Sequence, residues 1–170
     1  MSPPLSIAQV REELQKVEDP EAPISIVELG LVKDIDVSDP AVVRIELVPT
    51  YRSCPAKSYI AANVRQVVAE LAPDVDVEVR WDLGETWTPA RLSDAGRESL
   101  REFGVAVAAS IDEVACPHCA SANVVLENRF GCAVCKSLYY CPDCRNPFEV
   151  MRGSLVMPVP ASRAVRAAAR

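Results

Sequence analysis

The sequence predicts an α+β fold: a small α/β sandwich, with helices packed on a three-stranded sheet, followed by a separate cysteine-rich module. Three observations predict it. Apolar and polar residues alternate with period two in three segments, the pattern of half-buried strands. Apolar residues recur at helical spacing in the segments around them. Six of the seven cysteines fall between Cys116 and Cys144, as three Cys-x-x-Cys pairs. A segment that short holds too few apolar side chains to fold on its own core and normally needs a metal or disulfides.

Taken in order, Ser6 is a helix cap and Gln9 completes a capping box. Ile7, Val10, Leu14 and Val17 make residues 7–18 an amphipathic helix. Asp19-Pro20-Glu21-Ala22-Pro23 ends it as a stiff, extended loop. Leu29-Gly30 is a turn. Segments 32–37 and 42–48 flank Ser38-Asp39-Pro40, a hairpin signal. A helix of about fifteen residues begins near Pro55, which suits a first helical position, and Pro73 ends it. Its stripe is Ile60, Val64, Val67, Val68 and Leu71. Val75, Val77, Val79 and Trp81 alternate with charged residues as the third strand. Trp87-Thr88-Pro89 reads as a loop anchor. A further helix spans about Ser93 to Phe103, with Gly104 at the C′ position. Residues 105–115 read as a small-residue linker, and the tail from Gly153 to Arg170 as mobile.

Composition bounds the function. The chain has 170 residues, 49% hydrophobic and 25% charged, with a formal net charge of −6. An acidic balance argues against a nucleic-acid partner. No apolar run approaches the ~18 residues that span a membrane. The first residues lack the basic and apolar regions of a secretory signal. The expected location is cytoplasmic, where clustered cysteines read as metal ligands or redox groups before disulfides.

Two groups of residues carry chemistry. Cys54 precedes a helix N-terminus, where free N–H groups and the helix dipole favour a thiolate able to bind a metal, a cluster or an electrophile. The competing reading is an inert, buried thiol. Two Cys-x-x-Cys pairs suit a tetrahedral zinc with no open position. Cys116 and Cys119 form the first pair. Cys132/Cys135 or Cys141/Cys144 is the second. Cys141 and Cys144 are favoured, because residues 124–130 and 138–140 can pair as antiparallel strands and return the chain to the first pair. That is a zinc ribbon, with Cys132 and Cys135 at its far end as free thiols, a redox pair or ligands of a second metal. His118 reads as an exposed residue, and Phe130, Tyr139, Tyr140 and Phe148 as packing of the ribbon. No catalytic histidine, phosphate-binding loop or acid/base pair is evident, so the chain is not read as an enzyme.

Several motifs then occur together. They are Asp19-Pro20-Glu21-x-Pro23, Pro49-Thr50-Tyr51-x-x-Cys54-Pro55-Ala56, Trp87-Thr88, Leu100-Arg101-Glu102-Phe103-Gly104, Cys116-Pro-x-Cys119, Cys135-Lys136-x-Leu138-Tyr139 and Cys141-x-x-Cys144-x-x-Pro147-Phe148. In this order, over residues ~5 to 152, they resemble the D-subunit family (PaaD, also called PaaJ) of the phenylacetyl-CoA epoxidase system. The first half also resembles the wider metal-sulfur cluster biosynthesis family. The resemblance implies a metal-sulfur cluster biosynthesis-like domain over 1–110, a zinc ribbon over 111–152 and a tail over 153–170. It implies a non-catalytic accessory component of a multicomponent monooxygenase in aerobic phenylacetate breakdown, assisting assembly of an iron or iron–sulfur centre. Cys54 would hold iron or a cluster transiently, with Asp19, Glu21 and Thr50 around it. Cys116, Cys119, Cys141 and Cys144 would hold zinc. Other epoxidase subunits or the reductase would be partners, and a homodimer is plausible. A general iron–sulfur assembly factor and a zinc-bearing docking subunit are the alternatives. Cys132 departs from the family, standing where a serine is expected, and the tail has no counterpart.

Overall fold

The computed structural model describes residues 5–108, 110 and 113–152; the expected mobile tail lies outside these. Helix α1 runs Ile7–Leu14, with both halves of the Ser6/Gln9 capping box formed. It is shorter than the periodicity suggests. Lys16 and Val17 donate to carbonyls only three residues back, Glu13 and Leu14, so the last turn tightens. The tightened turn still buries Val17. The expected stiff loop is a small hairpin, strands β1 (Glu18–Asp19) and β2 (Ala22–Ser25), with Pro20 and Glu21 at its tip.

Strands β3 (Val32–Asp39) and β4 (Val42–Leu47) form the expected antiparallel hairpin. Helix α2 (Lys57–Leu71) crosses over to β5 (Asp76–Trp81), which lies parallel to β4 with Val43 beside Val77 and Ile45 beside Val79. The sheet order is therefore β3-β4-β5. The inner-facing Val43, Ile45 and Leu47 join Val10, Leu14, Ile60, Val64 and Val68 in one core. Burying each such aliphatic side chain contributes about 1.5–3 kcal/mol.

The next segment is fastened onto this sandwich. The buried Trp87 donates from its indole N–H to the Leu29 carbonyl at 2.8 Å. Gly30 has φ +72°, and a Cβ there would stand 2.2 Å from the Arg91 carbonyl oxygen, so only glycine fits both the turn and the close approach. Helix α3 (Asp94–Glu102) is capped by Ser93 and ends at Gly104, φ +82°.

The expected linker contains a strand. Strand β6 (Val105–Val107) pairs in parallel with the last strand, β9 (Asn146–Met151). With β7 (Val125–Asn128) and β8 (Lys136–Cys141) they build a second sheet, ordered β6-β9-β8-β7. Val105 and Ala106 are buried, which is what draws this short stretch into the sheet. Tyr139 and Phe148 stack at 5.8 Å inside the second core. Phe130, expected to pack the ribbon, is instead 51% exposed. Ala133, Cys135 and Met151 belong to the core of the first half, so the two halves share apolar packing. Among the described residues no helix is long and apolar enough to cross a membrane.

Candidate metal centre and the Cys54 site

Two turns of the same design present four sulfurs. Cys116 O accepts from Ala120 N and Cys141 O from Arg145 N, both at 2.8 Å. Ala120 (φ +60°) and Arg145 (φ +61°), each just past its pair, take the left-handed conformation. Asp143 ties one turn to the other, accepting from the Ser121 hydroxyl and from Asn123 Nδ2. Cys116 Sγ lies 3.6 Å from Cys144 Sγ, and Cys119 Sγ 3.6 Å from Cys141 Sγ. All four sulfurs lie within 4.8 Å of one another. Thiolates about 2.3 Å from a tetrahedral zinc would sit roughly 3.8 Å apart, so the group fits such an ion. Cys132, Cys135 and the exposed His118 lie outside it.

The second site lies on the first half of the chain. Asp19, at the end of β1, is 9% exposed, and its Oδ1 accepts from Glu21 N at 2.8 Å. Thr50 and Cys54 are buried in the loop between β4 and α2. The Cys54 N–H donates to Tyr51 O at 2.9 Å, closing that loop. The helix starts at Lys57, with no side-chain cap at Ala56. Pro55 therefore lies in the preceding turn, not at the first helical position. The dipole argument for a ready thiolate is outweighed here. Burial pushes the Cys54 thiol up, as do the charges of Asp19 and Glu21, against the Ala56 N–H. Burial likewise raises Asp19. Glu21 is raised by burial and by the charge of Asp19. Burial and mutual charge thus shift all three groups in the same direction, toward the protonated form.

The ribbon reaches into this site, which sequence reasoning missed. Cys135 is buried, with its Sγ 3.9 Å from Glu21 Oε2. Its thiol is pushed up to about 12 by burial, then by the charges of Glu21, Asp19 and Cys54, against a hydrogen bond with Thr50. Lys136 is 3% exposed; its Nζ donates to Glu21 O at 2.9 Å and to Glu149 Oε2 at 3.0 Å. The Arg152 guanidinium lies over two rings, 4.9 Å from the centre of Tyr51 and 4.7 Å from that of Phe130. Nothing in local periodicity marks Lys136 or Arg152; the one available signal was the Cys135-Lys136 pair within the family motif.

Comparison with known proteins agrees with this two-part layout. Residues 7–81 match the family described as iron-sulfur cluster assembly protein, and residues 102–152 match the PaaD zinc beta ribbon domain. Fold and sites together define the class: an iron–sulfur-assembly type domain carrying a zinc-ribbon module. Over 157 residues the chain is 32% identical to the D subunit of the putative 1,2-phenylacetyl-CoA epoxidase of Escherichia coli K12, covering 88% of this chain and 94% of that one. The chain belongs to that D-subunit family, PaaD. The first half is also 34% identical, over 87 residues, to the Fe-S protein maturation auxiliary factor YitW of Bacillus subtilis, covering 51% of this chain and 85% of that one. A solved structure of a conserved hypothetical protein from Thermotoga maritima superposes with a TM-score of 0.52 at 31% identity, covering 61% of this chain and 99% of that one.

Proposed function

We propose that this protein is a non-catalytic accessory subunit of a phenylacetyl-CoA epoxidase system that helps assemble an iron or iron–sulfur centre in a partner. Cys54 is the thiolate that takes the cargo transiently, with Asp19, Glu21 and Thr50 around it. The observation that carries this reading is the burial of Cys54 where the charges of Asp19 and Glu21 act on its thiol, in a chain of the D-subunit family. A cation entering such a site displaces protons and finds negative charge already gathered. Cys116, Cys119, Cys141 and Cys144 hold a structural zinc; when bound it supplies folding energy to the ribbon, with no open coordination position for chemistry. The partners are the other epoxidase subunits or the reductase, and the setting is the cytoplasm.

The test is genetic and biochemical together. A strain carrying Cys54→Ala should make folded protein yet fail to grow on phenylacetate, while growing normally on other carbon sources. Normal growth on phenylacetate would remove Cys54 from the mechanism. The likeness of residues 7–81 to iron–sulfur assembly proteins supports a second reading, a general assembly factor. It predicts loss of several unrelated cluster enzymes on deletion, where the first reading predicts loss of the epoxidase alone.

A further inference from the structure

Cys135 is carried by the ribbon, yet the structure seats it with the loops that carry Asp19, Glu21 and Cys54. It is held from both sides. Lys136 clamps the hairpin tip through Glu21 O at 2.9 Å. Arg152 N donates to Cys135 O at 2.8 Å, and the Arg152 guanidinium covers Tyr51, within the Thr50–Cys54 loop. Glu149, the partner of Lys136, also accepts from Cys132 N at 2.6 Å and so pins the start of the same turn. One side of Cys135 packs in the shared apolar core. Its sulfur also faces the Glu21 carboxylate at 3.9 Å, a contact that apolar packing alone does not call for.

We propose that Cys135 is the second thiolate of the Cys54 site, and that the cargo gripped between the two halves of the chain is a two-iron, two-sulfide cluster. This rests on the cargo reading above and extends it. The argument for a cluster over a single ion is one of span. Among the described residues, the four ribbon cysteines are the one group of three or more such side chains placed to hold a single ion. Cys54, Cys135, Asp19 and Glu21 do not form such a group. One ion needs its ligands in mutual contact, whereas a cluster separates the thiolates it joins. Such clusters take four thiolates in stable proteins. Two from this chain leave two positions for thiols of a client, which suits transfer over storage. Each ligation forms an S–Fe bond, releases the thiol proton and displaces an exogenous thiolate from iron; no electrons change hands. Glu21 Oε2 is placed to accept the Cys135 proton, and the buried Lys136 ammonium offsets the negative charge that develops.

The experiment is anaerobic reconstitution of the full chain with ferric iron, sulfide and dithiothreitol, followed by gel filtration and by iron, sulfide and zinc analysis. Wild type and Cys132→Ser should each retain about two iron and two sulfide per chain with a cluster absorption spectrum. Cys135→Ser and Cys54→Ser should retain at least about tenfold less, the scale on which even an outer partner of a ligand matters, with unchanged zinc and thermal melt. Should Cys135→Ser misfold, wild type decides: loading should protect Cys54 and Cys135 together from alkylation in mild denaturant, while Cys132 reacts as before. Loading of Cys135→Ser at the wild-type level, or protection of Cys54 without Cys135, overturns the proposal and leaves the Cys54 reading standing. Iron bound without sulfide overturns the cluster assignment. Wild type that takes up neither overturns both readings.

Discussion

Asp19, Glu21, Cys54 and Cys135 all hold their protons more tightly than free side chains do, and burial is the leading cause at each. For Asp19 the folded value lies above the ordinary 3.8. Its ionisation therefore costs the metal-free protein nothing below 3.8, and costs the full amount once pH passes the folded value. Asp19→Asn keeps an oxygen for the Glu21 N–H and removes that cost. The metal-free variant should melt above wild type near neutral pH, and the gap should close as pH falls below 3.8; thermal melts across that range measure it. A second outcome follows from exposure. With zinc bound, iodoacetamide near neutral pH should modify the exposed Cys132 first, and the buried Cys54 and Cys135 only under denaturant, as peptide mass mapping would record. Cys54 could be singled out from sequence because its setting is local, a loop before a helix. The place of Cys135 could not, since 114 residues separate it from Glu21 and only the folded ribbon brings them together.

Elements were legible where their period ran long enough. Strands β3, β4 and β5 and helix α2 each span six residues or more, and the expected hairpin, helix and third strand are all present. Strand β6 has three residues, too few for alternation to show, and its identity depends on pairing with a strand about forty residues away. Helix α1 ends short of residue 18: Val17 keeps the helical phase while the backbone has already tightened beneath it. Turn geometry gives the sharpest expectation at this scale. Gly30→Ala places a Cβ against the Arg91 carbonyl at a positive φ. The variant should lose about 1–3 kcal/mol, the cost of holding a side chain in that backbone region, with clash added; urea unfolding monitored by the buried Trp87 would measure it.

Across the whole molecule the two halves are joined by three kinds of contact: the β6–β9 pairing, the shared core around Cys135 and Met151, and the hydrogen bond to Glu21 O from the buried Lys136, which is itself paired with Glu149 within the ribbon. Removing one partner of a buried pair leaves the other charge uncompensated. Lys136→Met should therefore destabilise by about 3 kcal/mol and speed alkylation of Cys135, read in one urea series. Stripping zinc with a chelator should disorder the ribbon turns, expose the Cys116–Cys144 thiols and raise Cys135 reactivity at the same time. A melt that kept Cys135 protected without zinc would uncouple the two sites.

Chain direction turns this architecture into a schedule. The ribosome releases Asp19, Glu21 and Cys54 first, on a sandwich whose sheet and helices are complete by Trp81. The strand at Val105–Val107 then waits unpaired until the final strand, Asn146–Met151, emerges and binds it. Cys135 can take its seat only after that late pairing. A newly made chain therefore carries Asp19, Glu21 and Cys54 without Cys135 through most of its synthesis, and the four residues meet only when the ribbon folds back onto the first half.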